Sequence, residues 1–181
     1  SETGWDVGEA SAPLAAYIDQ LNNKDLRILI PGAGRAWEAE YLLHKGFKQV
    51  YVCDLAAEPM QHLARRCPGL DPAQLLQSDF FELEEGRYDL VLEQTFFCAI
   101  DPALRQAYAD KVWRLLKPRG RLVGLLFNTT FEQPGPPFGG SAAEYRTYFQ
   151  NHFRFHAFDT AYNSIAPRAG RELFINLRRE P

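Results

Sequence analysis

The sequence has no run of lysine and arginine, no closely spaced cysteine pair and no long apolar stretch. Its 20 basic residues are outnumbered by 23 acidic ones, a net charge of −3, so the electrostatic footprint of a nucleic-acid binder is not visible. Three cysteines, Cys53, Cys67 and Cys98, form no CxxC pair and are odd in number. They suggest neither a disulfide framework nor a zinc site, and a reducing, cytoplasmic setting fits them better. The four histidines, His44, His62, His152 and His156, show no metal-ligand spacing, so no metal is expected. No apolar run approaches the roughly 18 residues of a membrane span, and no signal peptide opens the chain. Ser1-Glu2-Thr3 reads as a trimmed start, with further residues expected upstream.

What is present belongs to a folded domain. The 181 residues are 46% hydrophobic and 24% charged, which suits one domain with a core of its own. The expectation is a single domain over 1–181, without a membrane or nucleic-acid partner and acting as a monomer. Aromatic residues reach 13%, mostly Phe, and part of that excess is expected to line a site.

Residues 28–55 organise the rest. An apolar run (Leu26, Ile28, Leu29, Ile30) meets the turn Pro31-Gly32-Ala33-Gly34, a helical segment follows over about 36–45, and Gly46 stands at its C-terminal cap position. A second apolar run, 50–53, ends in Asp54. This is a β-α-β unit with glycines after the first strand and an acid after the second. Upstream, Pro13 opens a helix with Leu14, Tyr17, Ile18 and Leu21 on one face. Downstream, Met60, Leu63, Ala64 and Cys67 mark a helix that stops at Pro68-Gly69. A third strand is expected over 75–81 and a fourth over 88–93. Asp101-Pro102 caps a helix whose face carries Leu104, Tyr108, Val112, Leu115 and Leu116. Arg119-Gly120 is expected to turn the chain into a fifth strand over 122–127. After the loop 133–140 comes a short helix, then two alternating runs (Phe153, Phe155, Ala157 and Leu173, Ile175, Leu177) that suit an antiparallel pair.

Strands alternating with helices before a two-strand ending indicate an open α/β sheet, largely parallel with an antiparallel edge. Ligands bind such sheets beyond the carboxyl ends of the strands. Those ends hold 31–34, Asp54, Asp79-Phe80, Glu93-Gln94 and Phe127-Asn128. In a dinucleotide fingerprint the third glycine lets helix and strand pack closely, and here Trp37 occupies that place, which disfavours NAD. Each feature also has a plain structural reading: a tight turn, a surface acid, an Asp79 that caps its own turn.

The glycine turn, Asp54 twenty residues beyond Gly34 and the Asp79-Phe80 pair resemble the motifs of S-adenosylmethionine-dependent methyltransferases. Longer stretches narrow the likeness: Trp5-Asp6-x-Gly8 with Pro13-Leu14, IPGAGRAWE, SDFFEL, YDLVLEQTFFCAI and LLKPRGRL resemble the thiopurine S-methyltransferase superfamily, closest to its halide/thiol methyltransferase branch. The resemblance implies a class I methyltransferase fold, a Rossmann-like three-layer sandwich on a seven-stranded sheet. It implies S-adenosylmethionine as methyl donor and S-adenosylhomocysteine as product, with a thiol, bisulfide, halide or thiopurine-like small molecule as acceptor. Carried over, Gly32 and Gly34 face the methionine part, Asp54 the ribose, Asp79-Phe80 the adenine, and Glu93-Gln94 the methionine moiety; Leu55 joins them as a cofactor-binding residue, while Trp5 closes over as a lid. Arg35-Ala36 departs from members that carry more glycine there. A soft anion needs no strong base, and no catalytic dyad is visible. Phe96, Phe97, Phe127, Phe138 and Tyr145 are candidates to line the acceptor pocket, with core packing as the alternative for Phe96 and Phe97. Arg105 and Tyr108 are candidates to attract the anion or donate a hydrogen bond, with a solvated helix face as the alternative for Arg105. Cys98 is expected to be buried and inert. The competing functions are an NAD(P)-linked oxidoreductase on a similar sheet and a cofactor-binding relative without activity.

Overall fold

The structure, a computed structural model, describes residues 8–32, 34 and 36–181. The lid expected at Trp5 lies outside the described residues. Seven strands form one sheet: β1 (Arg27–Pro31), β2 (Gln49–Asp54), β3 (Leu75–Gln77), β4 (Tyr88–Gln94), β5 (Leu116–Phe127), β6 (Phe153–Thr160) and β7 (Glu172–Arg179). Their order is β3-β2-β1-β4-β5-β7-β6. The pairs from β3 to β5 are parallel, and β7 is antiparallel to both β5 and β6. The chain winds outward from β1 to β3 and then crosses to β4 on the other side of β1. The order in which strands are added therefore reverses between the parallel neighbours β1 and β4, where such sheets open a crevice.

Two apolar layers sandwich the sheet. On one face α1 (Ala12–Asp19), α2 (Trp37–His44) and α3 (Glu58–Arg66) bring Leu14, Ile18, Ala39, Leu42 and Leu63 onto Ile28, Ile30, Val50 and Val52. On the other, α4 (Arg105–Leu115) and α5 (Ala142–Phe149) bring Tyr108, Val112, Leu115, Tyr145 and Phe149 onto Leu29, Val91, Leu122 and Ile175. β1 is apolar on both faces because it is covered on both, as central parallel strands are.

Local structure departs from the sequence expectation in four places. The third strand stops at Gln77, since Asp79 accepts from the Phe81 amide and starts a 3-10 turn over Phe80–Glu82. Leu104 falls in a second such turn, Pro102–Leu104, capped by Asp101, so it is exposed rather than on the core face of α4. The fifth strand begins at Leu116, directly after α4. Tyr88 pairs with Leu116 and Leu90 with Arg121, so the expected turn at Arg119-Gly120 is an irregularity inside β5, with Arg119 at φ 67°. In β6 the alternation shifts after Phe155: Phe155 faces Leu177 and Ala157 faces Asn176, leaving His156 as an extra residue. That bulge brings Phe158, not Ala157, onto the same core as Phe153 and Phe155.

β4 and β5 approach closely at one point. A Cβ on Gly124 would lie 2.5 Å from both the Cβ and the carbonyl oxygen of Glu93. Gly124→Ala is expected to lower the stability of the domain by about 2 kcal/mol or more, because backbone rather than a mobile side chain must give way. A urea unfolding curve unchanged from the parent contradicts this close packing.

Candidate active site

The cleft lies beyond the carboxyl ends of β1, β2 and β4. Main-chain bonds tie the end of β1 to β2 and the end of β2 to the exit of β3: the Gly32 amide donates to the Cys53 carbonyl at 2.7 Å, and the Ser78 amide to the Asp54 carbonyl at 3.1 Å. Gly32, Gly34 and Ala36 all have left-handed φ angles of 57°, 57° and 61°. Ala36 has a Cβ and no glycine's freedom, so the turn into α2 carries local strain. Gly32 has no room for a side chain, because a Cβ there would overlap the inner atoms of Phe96.

Phe96 reaches Gly32 through a turn held from behind. Glu93, the penultimate residue of β4, is 0% exposed. One carboxylate oxygen accepts from the amides of Phe96 (2.9 Å) and Phe97 (3.1 Å), and the other from the Tyr108 hydroxyl at 2.6 Å. Burial pushes the Glu93 carboxyl up to about 7, while these three donors pull it the other way. Thr95, at φ 62°, makes the reversal that brings the chain back under Glu93. Phe96 in turn meets Phe80 at 5.1 Å, and Phe80 stacks on Tyr108 at 5.5 Å.

The resulting cleft has a volume of about 480 Å³, in the range of small-molecule sites. Gly32, Gly34, Asp54, Leu55, Asp79, Phe80 and Phe96 all line it. Asp54 accepts from the Ala56 amide and Asp79 from the Phe81 amide, both at 2.9 Å. In each case these bonds use one oxygen, and among the described residues the other accepts no hydrogen bond. Leu55 is 72% exposed, an apolar side chain held in solvent at the rim. Cys53 also lines the cleft, its thiol pushed up to about 12 by burial and by the Asp54 and Asp79 carboxylates.

Other expected site residues stand elsewhere. Glu93, assigned to the methionine side, is sealed behind the cleft and holds its wall. Gln94 is half-buried at the end of β4 and is not part of the cleft lining. Of the acceptor-pocket candidates only Phe96 borders this cleft. Phe97 and Tyr145 are core residues, in edge-to-face contact at 5.1 Å. Arg105, expected as a pocket or solvated residue, is 1% exposed. It donates to Glu144 at 2.9 Å and to the Phe138 carbonyl at 3.2 Å, and lies 4.7 Å from the Phe97 ring. It is thus the anchor of the 133–140 loop, which the Phe138 amide also ties to the Cys98 carbonyl at 2.7 Å. Phe127 is half-buried, with its ring 5.0 Å from Phe131 and 5.7 Å from the Arg168 guanidinium. Cys98 is buried, its thiol pushed up to about 12 by burial.

The sequence reading missed several lining residues: Ser78, Phe81, Thr95, Ala99, Ile100, Asp101 and Leu104. Most sit in the two 3-10 turns or the turn after β4, which leave no periodicity to find; the caps Asp79 and Asp101 were the available signal. It also missed the buried charges Glu38, Arg168 and Glu172, which no pattern distinguishes from surface charges.

S-Adenosylmethionine presents a cationic sulfonium, ribose hydroxyls and an aminopurine. Three carboxylates, Asp54, Asp79 and Asp101, line the cleft, and no Lys, Arg or His does so among the described residues. Such a donor-accepting, negatively charged cleft fits that group. It does not fit the pyrophosphate of a dinucleotide. The fold and the cleft together define a class I S-adenosylmethionine-dependent methyltransferase. A 1,6-didemethyltoxoflavin-N1-methyltransferase from Burkholderia thailandensis has the same fold, with a TM-score of 0.72 at 22% identity over 94% of this chain and 78% of that one. The chain belongs to the thiopurine S-methyltransferase family, whose sequence profile matches residues 1–173. It is 29% identical over 176 residues to "Probable thiol methyltransferase 2" of Arabidopsis thaliana, spanning 94% of this chain and 77% of that protein. It is 27% identical over 175 residues to thiocyanate methyltransferase 1 of Brassica oleracea, again 94% and 77%.

Two outcomes test this geometry. Gly32→Ala is expected to drive Phe96 out of its place and weaken S-adenosylhomocysteine binding at least tenfold, read by calorimetry; parent-like affinity contradicts the contact. The second concerns pH. Glu93 has a folded value near 7, above its ordinary 4.5, so the stability it contributes is complete below about 4.5 and lost as pH rises through about 7. Unfolding free energy measured across that interval is expected to fall more steeply in the parent than in Glu93→Gln, whose amide supplies an acceptor without a charge. Parallel curves for the two proteins contradict it.

Proposed function

We propose that residues 1–181 act as one methyltransferase domain, in the cytoplasm, on a small soft nucleophile: a thiol, bisulfide, a halide or a thiopurine-like compound. The observation that carries the cofactor side is the cleft with three carboxylates and no basic residue among those described. The acceptor class is supported by family membership and by the thiol and thiocyanate methyltransferases the chain resembles. Asp54 is assigned the ribose hydroxyls, Asp79 the exocyclic amine, and Leu55 and Phe81 the faces of the purine. When bound, the cofactor supplies the activated methyl group.

The protein's own part is alignment and exclusion of water. A thiol with an ordinary pKa of ~8.5 is already partly ionised near neutral pH, so no strong base is needed. Cys53 and Cys98, with thiols pushed up to about 12, stay protonated and do not compete as nucleophiles. Phe96 and Phe80 exclude water from the inner wall, which leaves the acceptor anion less solvated and more reactive. Correct positioning alone is worth several kcal/mol, roughly 7 or more in well-oriented systems.

The test is calorimetric titration with S-adenosylhomocysteine, followed by methyl transfer to iodide, bisulfide, small thiols and a thiopurine. Saturable binding and turnover of at least one of these acceptors are expected. Asp54→Ala is expected to weaken binding at least tenfold, a loss of about 1.4 kcal/mol or more. Unchanged affinity in that variant sinks the ribose assignment, and binding without turnover across the panel sinks the acceptor class.

A further inference from the structure

At the far end of α2 and α3, away from the cleft, three different metal-ligating side chains converge. Glu40 and His44 stand one helical turn apart on α2, and Cys67 is the residue that ends α3. A carboxylate oxygen, an imidazole nitrogen and the thiol sulfur all lie within 4.8 Å of one another. We propose that these three side chains bind a divalent transition-metal cation of the zinc class, with water as the remaining ligand.

The donor chemistry selects the ion. One oxygen, one nitrogen and one sulfur suit a borderline cation such as Zn²⁺, and neither Mg²⁺ nor Ca²⁺ takes a thiolate. Tetrahedral coordination at 2.0–2.3 Å sets donors roughly 3.5 Å apart, so the existing cluster needs only side-chain adjustment. Arg66 already orients the carboxylate: its Nε lies 2.7 Å from Glu40 Oε2, while its guanidinium stacks 4.3 Å from the Trp37 ring. That leaves Oε1 for a metal, the arrangement in which an outer partner fixes a ligand's orientation. His44 and Cys67 stand at the C-terminal ends of their helices, where the helix dipoles favour positive charge. A cavity of about 450 Å³ bordered by His44, Arg66 and Cys67 connects the cluster to solvent, and it shares no residue with the cofactor cleft. Binding replaces the Cys67 S–H by a sulfur–metal bond, with the proton released to water and no change of oxidation state. The bound ion would pin together the ends of the two helices that follow the glycine turn and Asp54.

A Glu-x3-His pair completed by a cysteine more than twenty residues later has no local metal-ligand spacing, so the sequence alone does not reveal it.

The test titrates Co²⁺ into the full, metal-free chain. One equivalent is expected to produce a thiolate-to-cobalt charge-transfer band that Zn²⁺ abolishes by displacement. Cys67→Ser is expected to lose the band, and His44→Ala to bind at least tenfold more weakly. Neither side chain is in the core, and thermal unfolding in chelator checks that both variants remain folded. Zn²⁺ is expected to raise the melting temperature of the parent and not of Cys67→Ser. S-Adenosylhomocysteine affinity is expected to be the same in parent and Cys67→Ser, which separates this site from the cofactor cleft. Absence of the band in the parent, or its persistence in Cys67→Ser, overturns the proposal.

Discussion

One buried carboxylate holds the working end of this protein together. Glu93 has no contact with solvent and receives three hydrogen bonds, two from successive amides and one from Tyr108 on α4. The two amides fix the turn after β4, and the hydroxyl fixes that turn against the helix behind it. Gly124 on β5 lacks a side chain at the point where Glu93 passes. Phe96 is thereby delivered to Gly32, so β4, α4, β5 and the glycine turn meet through one residue. A buried acid is costly unless its lone pairs are occupied, and here the partners that stabilise it are the groups the site needs in place.

The cleft that results is shaped by strand order more than by any single motif. Because β1 lies between β2 and β4, the ends of three strands face a common crevice. Asp54 and Asp79 arrive from neighbouring strands, and Asp101 from the turn before α4. All three also close local turns, each accepting an amide two residues ahead, and Asp79 and Asp101 thereby cap their 3-10 turns. Capping and ligand recognition are compatible, because each carboxylate has a second oxygen. The plain structural reading of Asp79 and its functional reading are therefore both part of one geometry.

Much of this was legible beforehand. The β-α-β unit showed in its apolar runs and glycines, and the acids at strand ends were found by position. Aromatic residues were harder. Phe96 and Phe97 are adjacent in sequence and both apolar, yet one borders the cleft and the other is core. A turn separates their directions, and hydrophobicity carries no sign of it. Arg105 misled for a related reason: a charged residue in the first turn of a helix is ordinarily solvated. Here Glu144 and the Phe138 carbonyl, 39 and 33 residues away, make its burial tolerable. Likewise the bulge at His156 substitutes Phe158 for Ala157 in the core without altering the apolar pattern on either side.

The sequence by itself determined the class of fold, the place of the glycine turn and the acids available to a cofactor. Those depend on local rules: strand and helix periodicity, turn chemistry and capping, all set by neighbours within a few residues. Only the tertiary structure decided which aromatics face a ligand, which charges are buried and which distant side chains converge. Glu93 with Tyr108, Arg105 with Glu144, and Glu40 and His44 with Cys67 are pairings across 15 to 39 residues. Their meaning arises from enclosure and proximity, and neither quantity exists until the layers have packed.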